Sequence, residues 1–138
     1  MLIQLTFATV MVVVTLLIHS AGITALVLGL RVKLEAGEED HHFCLNRAVV
    51  MLIAVLALFT LHGIEIRLCA ALFLLIGVFP ALEAAAYFST ITYASIGFGN
   101  AEMARSRRVV GVIEGINGVF LLGWSTTFFV TVVARMRK

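Results

Sequence analysis

Residues 81–100 read ALEAAAYFSTITYASIGFGN and follow directly on Pro80. Proline suits the first turn of a helix, and Glu83 complements the positive end of that helix's dipole. The pattern predicts a helix from Ala81 to about Thr92. At 1.5 Å per residue it measures about 18 Å, too short to cross a bilayer. The chain continues as Ala94-Ser95-Ile96-Gly97-Phe98-Gly99-Asn100, where closely spaced glycines end any helix, and then as a charged turn from Glu102 to Arg108.

Outward from this segment the chain is apolar on both sides. Ala48 to Ile64 is uncharged, and after Glu65 and Arg67 the apolar character resumes from Leu68 to Phe79. As one helix this stretch exceeds a bilayer's thickness, so tilt, a break near Gly63 or an extension beyond the membrane must absorb the excess. Val109 to Ala134 forms the last apolar stretch, with Glu114 its only formal charge. Met1 to Leu30 carries no charge at all, Gln4 and His19 being its most polar groups. It lacks the positive n-region of a signal peptide and is longer than a typical h-region, so it reads as a retained span.

Composition agrees. Of 138 residues, 62% are hydrophobic and only 13% charged, and the mean hydropathy is +1.09. A small soluble domain has too much surface to cover with so few polar groups. A soluble globule, a disordered chain and a nucleic-acid binder are all excluded. The net charge of +2 implies no basic face. The expected fold is an all-α membrane protein with three transmembrane helices and a re-entrant short helix between the second and third. Irregular backbone at membrane depth is tolerated only where it lines a water-filled path or is buried in protein. A half-helix plus glycine-rich strand between two spans is therefore a candidate pore on physical grounds.

The segment Tyr87 to Asn100, YFSTITYASIGFGN, resembles the pore helix and selectivity filter of the tetrameric potassium-channel family. That family's usual filter is Thr-Val-Gly-Tyr-Gly-Asp, and the Ser-x-Gly-Phe-Gly-Asn form is similar to that of ether-à-go-go-related channels. The resemblance spans about Ala48 to Arg135. Leu61-His62-x-x-Glu65-Ile66 and Glu114-x-x-Asn117-Gly118 also resemble small prokaryotic pore-only channels. It implies a division into an additional N-terminal helix (1–30), a cytoplasmic loop (31–47) and a pore domain (48–138).

By this resemblance, carbonyls of Ser95, Ile96, Gly97 and Phe98, with Gly99 completing the filter, replace the hydration shell of K+. The Ser95 hydroxyl adds the innermost ring, and Gly97 and Gly99 adopt positive φ at no steric cost. One chain supplies a quarter of each ring, so the assembly is a homotetramer in the lipid bilayer. K+ is the permeant ion and no further cofactor is implied. The departures are Phe98, which lacks the family tyrosine's hydroxyl, Phe88 in place of a pore-helix tryptophan, Asn100 in place of an aspartate, and Ile91, which offers Asn100 no acidic partner. These predict a filter that deforms more easily.

Other residues carry weaker signals. Gly118 matches the family's inner-helix hinge, and Gly123 also has a counterpart, although Gly111-x-x-x-Gly115 is a common packing pattern. Glu114 is expected to brace the region behind the filter, with Arg107 or Arg108 of a neighbouring subunit as partner. His62 and Glu65 share a helix face, either as a proton-sensitive contact or as a plain hydrogen bond. Arg67 snorkels to the interface, and Trp124 lies too deep for an interfacial anchor and is expected to pack between helices. Glu38-Glu39-Asp40-His41-His42 reads as a solvated loop rather than a metal site. Cys44 and Cys69 support no disulfide framework, and no nucleophile–base pair or phosphate loop points to an enzyme.

The resemblance places the N-terminus outside and both the 31–47 loop and the C-terminus inside a plasma or inner membrane. Arg31, Lys33, Arg47, Arg135, Arg137 and Lys138 inside, against Arg67, Arg105, Arg107 and Arg108 outside, agree with it. The first span contains no arginine and provides no voltage sensor. The expectation is a potassium-selective channel. A weakly selective monovalent cation channel and a non-conducting assembly subunit remain open as alternatives.

Overall fold

The computed structural model describes residues 2–36, 43–97 and 108–136. It consists of four helices: α1 (Leu2–Ala36), α2 (Phe43–Leu75), α3 (Leu82–Tyr93) and α4 (Arg108–Met136). Three of them, over Leu2–Leu30, Arg47–Leu75 and Arg108–Arg135, are long and apolar enough to cross a membrane. The helices enter the hydrophilic stretch from both sides, α1 continuing to Ala36 and α2 starting at Phe43. Helix α2 runs unbroken through Gly63, so its 33 residues leave an excess over a bilayer for tilt or extension to absorb.

α1 packs against α2 and α4, and the short α3 packs against the same two helices. Ala8 near the start of α1 shares a cluster with Phe73 of α2 and Val110 of α4. Leu30 at the other end meets Val50 and Ala54 of α2, with Phe128 and Val132 of α4 against them. Helix α1 is thus antiparallel to α2 and parallel to α4. Gly22 admits this approach: a Cβ there would lie 2.6 Å from Leu61 Cδ1.

Each span buries a single stripe at helical spacing. It reads Ala8, Met11, Thr15, His19, Ile23, Leu30 on α1; Val50, Ala54, Leu58, Leu61, Glu65, Cys69, Phe73 on α2; and Val110, Glu114, Asn117, Leu121, Ser125 on α4. The outer faces carry Leu17, Leu52, Leu56, Phe59, Phe120 and Val130. Hydrophobic side chains face outward, and most of the buried polar groups lie within the bundle, the arrangement a lipid solvent favours. Outward threonines direct their hydroxyls to their own helix, as Thr60 does to the Leu56 carbonyl (2.8 Å) and Thr126 to that of Leu122 (2.8 Å).

Helix α2 closes in a Schellman motif. The Val78 N–H donates to the Phe73 carbonyl and the Gly77 N–H to that of Leu74, with Gly77 at φ 65°. The following turn brings Phe79 onto Phe73 and Phe88, with ring centroids 5.1–6.2 Å apart, and this aromatic trio seats α3 on the end of α2.

Candidate functional site

Helix α3 ends as α2 does. The Ile96 N–H donates to the Ile91 carbonyl (3.0 Å) and the Ser95 N–H to that of Thr92 (3.0 Å), again the Schellman pattern. The motif needs a left-handed residue immediately after the helix, and that position falls on Ser95, at φ 54°. The left-handed residue is therefore Ser95 and not the glycine two positions on, because helix closure dictates where the chain turns. Ser95, Ile96 and Gly97 are exposed, Ile96 to 76%. Phe98, Gly99 and Asn100 lie outside the described residues, as do Arg107 and the 37–42 segment with His41 and His42.

Two buried carboxylates hold α3 from opposite partners. The first, Glu65 of α2, is fully buried. The Tyr93 hydroxyl donates to its Oε2 at 2.5 Å, and His19 Nδ1 donates to its Oε1 at 2.9 Å. Since the tyrosine's one proton serves Glu65, His62 Nδ1 is the donor to the Tyr93 oxygen (2.9 Å), and it also lies 3.2 Å from Glu65 Oε2. The far side of His19 meets Ser125, whose Oγ stands 3.3 Å from Nε2. This network joins all four helices at the last residue of α3. The His19 ring also packs against Trp124, centroids 5.4 Å apart, and Trp124 in turn meets Phe120 at 6.4 Å. His19, His62 and Glu65 each offer a metal-ligating atom, and these atoms lie within 4.8 Å of one another.

The second carboxylate is Glu114 of α4, also fully buried. Ser89 of α3 hydrogen-bonds its Oε1, and the same hydroxyl lies 3.0 Å from the Ile66 carbonyl of α2. Glu114 Oε2 and Thr92 Oγ1 find no hydrogen-bond partner among the described residues. One turn further along α4, Asn117 donates to Thr15 Oγ1 of α1 at 2.8 Å. Gly118 then passes against the end of α3: a Cβ there would stand 2.3 Å from the Tyr93 carbonyl oxygen and 2.9 Å from its Cα. No side chain fits between these backbones, which gives Gly118 a packing role. Phe88 is buried in the aromatic trio.

Residues 50–135, well over half of the chain, match the model of a family described as ion channels. The chain belongs to this ion channel family. No curated protein and no solved structure matches it significantly. The matched part of the channel contains α3, most of α2, nearly all of α4 and the Ser95–Gly97 turn, while α1 lies outside it.

The His62–Glu65 contact follows from their spacing of three residues. Spacing does not reveal His19, Tyr93 and Ser125 as members of the same network. A signal was present: His19 and Ser125 are polar residues within otherwise apolar spans, where such groups are costly unless they meet a partner.

Proposed function

We propose that the protein is a potassium-selective channel, each chain contributing one quarter of a homotetrameric pore. The observation that carries this reading is the end of α3. A helix of 12 residues stops at Tyr93, turns through a left-handed Ser95 and leaves Ser95–Gly97 exposed in a bundle otherwise built of spans. Exposed irregular backbone of this kind has no place against lipid and requires either water or further protein around it. Four copies around an axis supply both. The carbonyls of Ser95, Ile96, Gly97 and Phe98 form the ion-coordinating rings and the Ser95 hydroxyl the innermost one. The negative end of the α3 dipole, beside Ser95, favours a cation there. Tyr93 and Ser89, anchored to Glu65 and Glu114, hold α3 still while the ion passes. In this arrangement the N-terminus is outside, the C-terminus cytoplasmic, and Asn100 braces the outer mouth.

Purified protein in liposomes under a potassium gradient tests the proposal. Flux of K+ but not Na+ is the expected outcome, and equal flux would make it a weakly selective cation pore, as the missing hydroxyl at Phe98 would allow. Absence of flux, together with absence of a tetramer on cross-linking, overturns the reading. Within one chain a Cβ at Gly97 meets nothing within 4 Å. Gly97→Ala should therefore leave the subunit folded and assembled while abolishing conduction. Phe98→Tyr should steady the current.

A further inference from the structure

We propose that His19, His62 and Glu65 form a binding site for a borderline divalent metal ion of the Zn2+ type, clamping α1 to α2 beside the end of α3. Both imidazoles direct the same atom, Nδ1, at the two oxygens of one carboxylate, His19 at 2.9 Å and His62 at 3.2 Å. Bonds of 2.0–2.1 Å in a tetrahedron place neighbouring ligand atoms about 3.3 Å apart. The two histidine–carboxylate separations lie within a few tenths of an ångström of that spacing, and the candidate ligand atoms all lie within 4.8 Å of one another. The Tyr93 hydroxyl, which donates to Glu65 Oε2 at 2.5 Å and lies 2.9 Å from His62 Nδ1, orients the carboxylate from outside the ligand set and leaves the fourth position to a solvent oxygen.

The surroundings suit a metal as well as the ligands do. A ligating histidine needs a partner on its other nitrogen, and Ser125 Oγ stands 3.3 Å from His19 Nε2 to accept that proton once Nδ1 binds the ion. Two neutral imidazoles with one carboxylate are a known donor set for zinc, whereas a hard cation such as Mg2+ prefers all-oxygen ligands. The positive ion also neutralises a carboxylate buried at membrane depth, where charge is costly. An approach exists: a cavity of about 240 Å³ between α2 and α4 is lined by His62 and Ser125, among apolar neighbours such as Leu58 and Phe129. The site draws on α1, which lies outside the region matched by the channel family, and it is independent of whether the pore conducts.

Cobalt provides the readout. The detergent-purified protein, metal-stripped and titrated with Co2+, should bind one ion per chain with the intense visible absorption of a tetrahedral site, and Zn2+ should displace it. The chain has four histidines, so the other pair is the control. His41→Ala/His42→Ala should bind as the parent does, whereas His19→Ala or Glu65→Gln should weaken binding about 100-fold or more. Ser125→Ala, which removes only the outer partner, should weaken it roughly tenfold. His62→Cys should retain binding and add a thiolate charge-transfer band, which a merely folded-state role for His62 would not produce. Absence of tetrahedral absorption in the parent protein, or loss of binding in the His41/His42 variant, overturns the proposal.

Discussion

Glu65 and Glu114 are both fully buried acids on membrane-spanning helices, and both reach α3, yet their surroundings differ in completeness. Glu65 receives donors from three other residues, one each on α1, α2 and α3: His19, His62 and Tyr93. Glu114 shares the Ser89 hydroxyl with the Ile66 carbonyl, has the weakly donating Cys69 thiol of α2 beside it, and keeps Oε2 without a geometrically formed hydrogen bond among the described residues. In hydrocarbon an unmet polar group has no water to turn to, so the two sites are not equivalent supports. The Glu65 network fixes where α3 stops. The Glu114 contact holds α3 against α4 through Ser89, with only a weak thiol donor besides, and leaves acceptor capacity.

This contrast is open to direct challenge. Glu65→Gln removes the charge yet leaves three donors facing one amide, and should cost about 3 kcal/mol, read as lowered thermal stability of the purified protein. A loss equal to that of Glu114→Gln would erase the distinction. Tyr93→Phe deletes one donor to the carboxylate while both histidines remain, and a loss of about 1.5 kcal/mol is expected by the same measurement. The Tyr93 variant should also loosen conduction, since its residue borders Ser95, and unchanged single-channel behaviour would separate the network from the pore. Glu114→Gln should have the smallest effect, within about 1 kcal/mol in either direction, because an amide can donate to Ser89 as well as accept from it. A large destabilisation there would mean that the second oxygen has a partner of its own in the assembled protein.

The spans and the short helix between two of them were legible from runs of apolar residues and from Pro80. Which faces meet was not. In a soluble helix the apolar stripe marks the inside, but here Leu17 and Phe59 face outward as readily as Leu61 and Phe73 face inward. Lipid is as apolar as the core, so hydrophobic periodicity carries little information about facing. Only the polar residues do, and they must be matched between helices: His19 meets Glu65 across 46 positions and Ser125 across 106. His62 and Glu65, three residues apart, needed no such matching and were recognised. The close approach at Gly118 escaped for the same reason, since a glycine does not name the backbone that crosses it. The left-handed Ser95 was not legible, because the helix end and not the nearest glycine sets its position.

That turn has an energetic corollary. Helix α2 makes the same closure on Gly77, where a left-handed backbone is free of steric cost, whereas α3 makes it on a residue with a side chain. A left-handed non-glycine residue sits about 1 kcal/mol or more above its relaxed form. The peptide units around Ser95 thus occupy a shallower minimum than their counterparts at Gly77, and are the first to rotate when the segment is perturbed. In the proposed pore, such a rotation swings a coordinating oxygen off the axis. Such a pore would then possess an intrinsic timer: the lifetime of one serine in a conformation it does not prefer.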